Sequence, residues 1–206
     1  MYLPEHFSES DPAALHRLIE SHPLGILVTC QDDLLDANHL PFELDAEAGL
    51  LRCHVARANP VWREADGSEV LVIFRGAEAY ISPTWYPSKH EHHRHVPTWN
   101  YQVVHVRGRL RVIDQERFVR GLVGRLTRAH ETGEPKPWKM ADAPRDYIEQ
   151  MIAAIVGIEI DISEMTGKFK IGQNREARDR LAAAAELQAR GAQELGAAMQ
   201  GAGKTE

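Results

Sequence analysis

A group of histidines stands near the middle of the chain, in the stretch KHEHHRHVPTWNY at residues 89–101. Its four members are His90, His92, His93 and His95. Zinc needs imidazole nitrogens that converge from a rigid frame, commonly in a tetrahedral arrangement. In a strand only His93 and His95 would share a face, and in a helix no two of the four stand four positions apart. The spacing therefore favours a surface loop, and we predict no metal site.

Polar and aromatic residues on both sides of this loop suit a flat, anionic, heteroaromatic ligand. The first such segment comprises Trp85, Tyr86, Lys89, Thr98, Trp99, Asn100 and Tyr101, and two further polar segments are HVARANPVWR at 54–63 and GKFKIGQNR at 167–175. Aromatic rings can stack on such a ligand, short polar groups can bind its edge, and cations can hold a phosphate. Packing of the tryptophans in a core or at a dimer contact is the alternative, and the residues alone leave both open.

Several classes of function lack support in this sequence. It contains no Gly-x-Ser-x-Gly, no His-Glu-x-x-His, no phosphate-binding loop with Lys and no Gly-x-Gly-x-x-Gly. A net charge of −6 does not predict a chain that coats nucleic acid. One basic stripe, His105, Arg107, Arg109 and Arg111, could face a phosphate, and a solvated sheet face is the alternative.

The cellular setting predicted from the sequence is the cytoplasm. The first residues, MYLPEHFSES, have neither the basic start nor the apolar core of a targeting signal. The apolar run VLVIF at 70–74 is far too short to cross a bilayer, so no membrane association is expected. Cys30 and Cys53 are predicted to be buried thiols rather than a disulfide framework.

The elements that must position these residues are mostly strands. Alternating or apolar runs predict strands at 25–30, 34–44, 50–56, 101–113 and 155–162, together with a strand pair, 69–75 and 77–83, that turns at Arg75-Gly76. Helices are predicted from Asp11-Pro12 to His22-Pro23 and over 114–130 and 142–154, with the Pro-rich loop TGEPKPWKMADAP before the last of these. The fold class is mainly β with peripheral helices, in the form of a small β-barrel. We expect one domain over residues 1–180 and a helical to disordered low-complexity tail over 181–206.

The order of several longer blocks resembles a known family. The blocks, which run from MYLPEHF to about Arg180, are HPLGILVT, ANHLPF, HVARANPVW, EVLVIFRGAEAYISPTWYPSK, VPTWNY, VHVRGRLRV and GKFKIGQNR. They resemble the PaiB-like, flavin-associated bacterial regulators. The resemblance implies an FMN-binding split β-barrel like that of the pyridoxamine-phosphate-oxidase-type proteins, in a homodimer with the flavin at the subunit interface. It also implies negative transcriptional regulation, which in Bacillus-type relatives concerns sporulation and degradative-enzyme genes.

Together with the polar-aromatic segments, the resemblance places the cofactor contacts. The expected FMN-binding residues are His54, Ala56, Arg57, Asn59, Trp62, Trp85, Lys89, Thr98, Trp99, Asn100, Lys168 and Gln173. Among them Arg57, Lys89 and Lys168 are the phosphate candidates, and Trp85 and Trp99 are the stacking candidates. Thr29, Asn38 and His39 are expected on the barrel wall near the ring. No catalytic residue is assigned.

The chain departs from the family pattern where Phe169 replaces a Trp and Gly172 replaces a Ser, which bears on how tightly FMN is held. Loop 90–95 carries extra histidines between the ligand-facing segments WYPSK and VPTWNY. Three functions stay open: a regulator that binds DNA directly or through a partner, a flavin-dependent oxidoreductase acting on a small substrate, and an apo or haem-binding scaffold.

Overall fold

The structure of the protein, a computed structural model, describes residues 1–202. The strands are β1 (Ser8–Glu9), β2 (Leu24–Gln31), β3 (Leu34–Pro41), β4 (Glu43–Asp45), β5 (Leu50–Ala56), β6 (Glu69–Ile81), β7 (Thr98–Ile113) and β8 (Ile155–Lys170). The helices are α1 (Pro12–Ser21), α2 (Val61–Glu64), α3 (Lys89–His92), α4 (Glu116–Glu131), α5 (Arg145–Ala153), α6 (Ala177–Ala189) and α7 (Gln193–Gly201). Short 3-10 turns occupy Glu5–Phe7, Pro83–Trp85 and Met140–Asp142. None of the helices in this range is both long and apolar enough to span a membrane.

The strands form one sheet in the order β3-β2-β6-β7-β8-β5-β4, with β1 paired to β8. Antiparallel registers join β2 to β3 and β6, and join β5 to β4 and β8. The tight connection between β2 and β3 uses Asp32 and Asp33, whose φ angles of 49° and 61° suit a short hairpin turn. The predicted class, mainly β with peripheral helices, is confirmed.

The chain forms two compact units. In the described residues, the first unit comprises Met1–Ser21, Arg75–Val104 and 166–202. Leu15, Leu18 and Ile19 of α1 are buried, because apolar residues three and four apart share one face of a helix. Helices α6 and α7 each bury apolar side chains in this unit, Ala183, Ala184 and Leu187 from α6 and Leu195 and Met199 from α7.

The second unit comprises His22–Phe74 and His105–Met165. Its core comes from alternate positions of the strands, which are Leu27, Leu51, Cys53, Val72, Phe74, Val106, Leu110, Ile158 and Ile160. The rings of Phe42 and Phe74 meet edge to face at 5.5 Å above Gly25, where an added Cβ would lie within 3 Å of both rings. The alternation predicted along the basic stripe is confirmed, because Val104, Val106 and Leu110 are all buried.

Two sequence predictions were wrong in this part of the chain. The strand pair expected to turn at Arg75-Gly76 is a single strand, β6. A Cβ on Gly76 would lie 3.1 Å from Leu18 and 3.3 Å from Gln102, so this glycine provides room for close packing rather than a turn. Cys30 is exposed, although Cys53 is buried as expected. Burial raises the pKa of the Cys53 thiol.

The boundary predicted at residue 180 falls inside α6 and stays a prediction. Residues 181–202 of the predicted tail are largely helical, whereas 203–206 lie outside the described residues.

Candidate functional site

A group of three cations, here called the cation cluster, lies in the first unit and consists of Lys168, Lys170 and Arg175. Lys168 and Lys170 stand two positions apart on β8 and therefore share a face of the strand. Lys168 is only 8% exposed, and its Nζ donates to the carbonyl of Tyr2 at 2.9 Å. The same Nζ lies 5.4 Å and 5.6 Å from the ring centres of Tyr2 and Tyr101.

The charge of the cation cluster is not balanced by acidic side chains. Within residues 1–202, the structure shows no ion pair between a carboxylate and Lys168, Lys170 or Arg175. Lys170 instead donates to the hydroxyl of Thr98. Burial, together with the positive charges of Lys168 and Arg175, lowers the pKa of Lys170. A bound anion would relieve this repulsion, so the cluster suits a phosphate group.

A buried chain of hydrogen bonds begins at Arg175 and ends at Asp179. Arg175 lies 3.2 Å from Nδ1 of His95, Nε2 of His95 lies 2.7 Å from the Ser88 hydroxyl, and that hydroxyl lies 2.5 Å from Asp179 Oδ2. The backbone N–H of Ser88 also donates to Asp179, at 3.0 Å. Burial opposes ionisation of Asp179, but the two hydrogen bonds from Ser88 prevail and lower its pKa.

The donors and acceptors fix the direction of each hydrogen bond along this chain. A guanidinium can only donate, so Nδ1 of His95 accepts and its Nε2 donates. The Ser88 hydroxyl then accepts from His95 and donates to Asp179. Because the hydroxyl proton is committed to a carboxylate, Ser88, His95 and Asp179 do not form a nucleophile activated by a histidine base. The arrangement fixes the position of Arg175 instead.

The histidine-rich stretch thus contains one buried histidine among exposed ones. The side chain of His95 is 8% exposed, while His90, His92 and His93 lie at the surface. Helix α3 ends at His92, and the C-cap residue His93 has a left-handed φ of 55°. Glu91 forms an ion pair with Arg178, which attaches α3 to α6. No group of three or more His, Cys, Asp or Glu side chains in residues 1–202 could hold a metal ion.

The other predicted contacts of the first unit differ in how accessible they are. Trp99 is 56% exposed and meets Tyr80 edge to face at 6.2 Å, so its ring is open to a ligand. Trp85 has the guanidinium of Arg190 5.0 Å from its ring centre. Asn100 is buried, and its amide nitrogen lies 3.4 Å from the sulfur of Met199.

Two further predicted FMN contacts of this unit are Gln173 and Lys89. The Gln173 side chain donates to the carbonyl of Phe169 and accepts from Ile171 N–H at 2.9 Å, so it shapes the turn after β8. Lys89 begins α3 and is half-buried.

In the second unit, Arg57 is held by several partners at once. Its guanidinium makes two 2.7 Å hydrogen bonds to Asp114, and it also donates to the carbonyls of Ala153 at 2.8 Å and Ile155 at 3.2 Å. The Asp114 hydrogen bond raises the pKa of Arg57, and the same bond lowers the pKa of Asp114. Because the charge of Arg57 is neutralised by Asp114, it is a weaker phosphate candidate than the cation cluster.

The residues near Arg57 form a local network of their own. Trp62 donates its indole N–H to the Arg57 carbonyl at 3.1 Å, and Arg63 lies over the Trp62 ring at 4.3 Å. Asn59 donates to Asn38 at 2.7 Å, which brings together two residues predicted near the cofactor. Ala56 is exposed at the end of β5.

His54 is the unusual member of this group. Its Nδ1 is buried and has no hydrogen-bond partner among residues 1–202, and burial lowers the pKa of His54. His54 pairs in register with Gly157 of β8, where an added Cβ would lie 2.6 Å from the ring of Phe118 on α4. A neutral imidazole in such surroundings is an available polar group.

Sequence reasoning left several participants out of the predicted site. Lys170 and Arg175 belong to the polar segment 167–175 but were not predicted as contacts, and Ser88, His95 and Asp179 were not predicted to join them. The Lys-x-Lys spacing on a strand is a signal that could have paired Lys170 with Lys168. Nothing in the sequence indicates that Asp179 meets Ser88, because 91 positions separate them.

Comparisons with known proteins identify the family and the cofactor. Residues 1–164 match the family model described as "Putative FMN-binding domain". The chain is 29% identical over 191 residues to protease synthase and sporulation protein PAI 2 of Bacillus subtilis, covering 91% of this chain and 89% of that protein. The resemblance to the PaiB-like proteins and the prediction of FMN as cofactor are confirmed.

Two solved structures with a similar fold are described as a flavocytochrome and as a protein that binds FAD and heme. The flavocytochrome Anf3 from Azotobacter vinelandii has a TM-score of 0.61 at 12% identity, covering 83% of this chain and 73% of its own. The FAD and heme binding protein from Mycobacterium smegmatis has a TM-score of 0.61 at 17% identity, covering 81% and 74%. At this identity the likeness concerns the fold alone, and it confirms the predicted split β-barrel class.

Proposed function

The chain belongs to the family of FMN-binding domains, and from this premise we propose that it holds FMN with the phosphate on the cation cluster of Lys168, Lys170 and Arg175. The observation that carries the proposal is the absence of a balancing carboxylate around these cations within residues 1–202. FMN, when bound, supplies a redox-active isoalloxazine ring. The protein's own residues bind the phosphate, orient the ring and exclude water from it.

Each cation of the cluster is held in place by a neighbouring residue, and this suits the binding of a dianion. Lys168 is held by Tyr2, Lys170 by Thr98, and Arg175 by His95. Fixed cations lose little side-chain entropy when a phosphate arrives. Burial first, and then the positive charges of Lys168 and Arg175, lower the pKa of Lys170. A bound phosphate would raise that pKa.

The ring contact in this proposal is Trp99, with Tyr80 beside it. Aromatic faces stack favourably on flat heteroaromatic rings, and the exposed indole of Trp99 offers such a face. Lys89, Thr98, Asn100 and Gln173, together with His54, Ala56, Arg57, Asn59, Trp62 and Trp85, remain predicted FMN contacts. Asn100 and Gln173 would act by supporting the backbone of β7 and the turn after β8.

We propose a homodimer, with the flavin at the interface of its two copies, that acts in the cytoplasm as a PaiB-type negative regulator. The name of the Bacillus relative, which joins protease synthesis and sporulation, supports this role. Sedimentation velocity of the purified chain tests the homodimer. A single species at the mass of one chain, 23.2 kDa, would contradict it.

The proposed regulation does not depend on DNA contact through the basic stripe. Arg111 pairs with Glu159 at 2.9 Å and with Asp161 at 2.8 Å, and Arg107 lies 3.7 Å from Glu164. Acidic residues of β8 therefore balance most of the charge that would meet phosphates. We expect that a fluorescence-anisotropy titration with DNA will detect no salt-sensitive binding that is lost in Arg109→Ala or in Arg111→Ala.

A second candidate is a flavin-dependent oxidoreductase acting on a small substrate, because bound FMN would supply a redox-active ring. Steady oxidation of reduced nicotinamides by the FMN-loaded protein would support this activity, whereas inactivity with nicotinamides and quinones would count against it. An absorption spectrum separates both from a haem-binding scaffold, because haem gives an intense band near 400 nm that flavin lacks.

The FMN site itself is tested by titrating FMN into Lys168→Ala and Lys170→Ala. Each loss of a charge-assisted hydrogen bond should weaken FMN binding about tenfold or more. Lys136→Ala is the matched control, because Lys136 is an exposed lysine of the second unit. Wild-type affinity in both cluster variants would overturn the placement of the phosphate.

A further inference from the structure

We propose a second ligand site in the second unit, between helix α4 and the Pro-rich loop 132–144, that takes a planar aromatic anion. A cavity of about 350 Å³ lies there, lined by Arg120, Gly121, Gly124, Thr127, Arg128, Trp138, Lys139 and Met140. This volume falls in the range of small-molecule pockets. The proposal does not rest on the FMN site, because none of its residues belongs to the cation cluster.

The floor of the cavity is one face of α4. Arg120, Gly124 and Arg128 recur every four residues, which places them in a row along the helix. Eight residues of helix span about 12 Å, so the two arginines stand at opposite ends of the row. Gly121 and Gly124 have no side chains to fill the space between them, and a Cβ on Gly124 would lie 3.2 Å from the methyl group of Met140.

The opposite wall is a loop whose shape is fixed by its own hydrogen bonds. The N–H of Trp138 donates to Glu131 at 2.8 Å, and the N–H of Lys139 donates to Asp142 at 2.9 Å. Two prolines, Pro135 and Pro137, restrict the backbone just before Trp138. The indole is 42% exposed, so it offers a preset ring surface at low entropic cost.

The charge of the lining favours an anion. Among residues 1–202, the structure gives neither Arg128 nor Lys139 a carboxylate partner for its side chain. Arg120 pairs with Glu116 at 2.8 Å. The nearby carboxylates of Glu131 and Asp142 accept from backbone N–H groups of the loop.

These features together define the chemistry of the occupant. An aromatic ring would lie against Trp138 over the glycine floor, with its anionic group between Arg128 and Lys139. A guanidinium and an ammonium group bind either a phosphate or a carboxylate. The shared chemistry is therefore a planar ring that carries one of these two anions.

The test is isothermal titration calorimetry on the full chain with whatever FMN it retains after desalting. Adenosine 5′-monophosphate probes for an aromatic phosphate, benzoate for an aromatic carboxylate, and inorganic phosphate for the anion alone. Arg128→Ala and Lys139→Ala should each weaken binding of the accepted probe about tenfold or more. Arg117→Ala is the matched control, since Arg117 is an exposed arginine of α4 that does not line the cavity.

A filled cavity provides a second test that leaves the fold intact. Gly121→Leu should abolish binding, and it should not unfold the helix, because leucine has a higher helix propensity than glycine. Binding of either aromatic probe that is lost in Arg128→Ala and Gly121→Leu but kept in Arg117→Ala supports the proposal. The proposal would be overturned if neither aromatic probe bound, or if Arg117→Ala and Arg128→Ala weakened binding equally. It would also be overturned if inorganic phosphate bound as tightly as the aromatic probes, which would indicate an adventitious ion only. Failure of FMN retention would not affect these outcomes, so the two proposals fail separately.

Discussion

The buried carboxylate of Asp179 provides a sharp test of the hydrogen-bond chain in the first unit. Asp179 is 1% exposed and accepts from both the N–H and the hydroxyl of Ser88, which is also 1% exposed. Asp179→Ala would leave these two buried donors without a partner. Each such donor costs about 1–3 kcal/mol, so the expected loss in free energy of unfolding is about 2–6 kcal/mol. Asp179→Asn keeps one acceptor oxygen and should lose about half as much.

The assay is urea unfolding at pH 7 followed by tryptophan fluorescence. Glu186→Ala is the control on the same helix, because Glu186 is a surface residue paired only with Arg190 in the described structure, and its effect should stay within about 0.5 kcal/mol. The pKa of Asp179 is lowered in the folded state, so its contribution is complete above the unfolded pKa and is lost as the pH falls through the folded pKa. The loss in Asp179→Ala should therefore shrink on acidification. A change at pH 7 no larger than that of Glu186→Ala would show that Asp179 does not satisfy the two buried donors of Ser88.

Three further changes test other parts of the structure. Gly157→Ala should lower the free energy of unfolding in urea by about 1–3 kcal/mol, because the added Cβ would lie 2.6 Å from Phe118. Gly133→Ala is the control and should be close to neutral, because nothing lies within 4 Å of its Cβ position. Because the pKa of His54 is lowered in the folded state, the unfolded state binds the extra proton first, and the free energy of unfolding should fall as the pH drops below about 6.5. His54→Phe should reduce the slope of stability against pH by up to about 1.4 kcal/mol per pH unit. An unchanged slope would contradict the burial of the imidazole. Lys170→Met should raise the Tm by about 2 °C, because it removes a charge that burial and the neighbouring cations destabilise. The same variant should weaken FMN binding, and calorimetry measures both effects. A fall in both the Tm and the FMN affinity would show that Lys170 is a stabilising contact instead.

Much of the fold follows from patterns within short stretches. The period-two alternation along β7 predicted which side chains face the core, since successive strand residues point to opposite faces. The Asp11-Pro12 start and the His22-Pro23 end similarly predicted α1 to within a residue or two. The error at Arg75-Gly76 came from treating glycine as a turn former, when its lack of a Cβ was needed for contact with Leu18.

The candidate site was less predictable because its decisive contacts join distant parts of the chain. Arg57 has the residue type expected of a phosphate ligand, yet Asp114, which lies 57 positions away, occupies its guanidinium. His95 belongs to a histidine-rich stretch predicted to be a surface loop, yet its side chain is 8% exposed and lies against Ser88 and Arg175. Which charges stay unbalanced depends on such pairings, and residue type alone does not reveal them.

A comparison of FMN with riboflavin, which has the same ring but no phosphate, tests whether the cation cluster holds the phosphate. Each is added to the purified full chain, the protein is desalted, and the bound flavin is quantified from its two-band absorption spectrum. We expect the wild-type protein to retain FMN and little riboflavin, and we expect this difference to be lost in the double variant Lys168→Ala, Lys170→Ala. Equal retention of both flavins by the wild-type protein, or a double variant that still prefers FMN, would contradict this expectation.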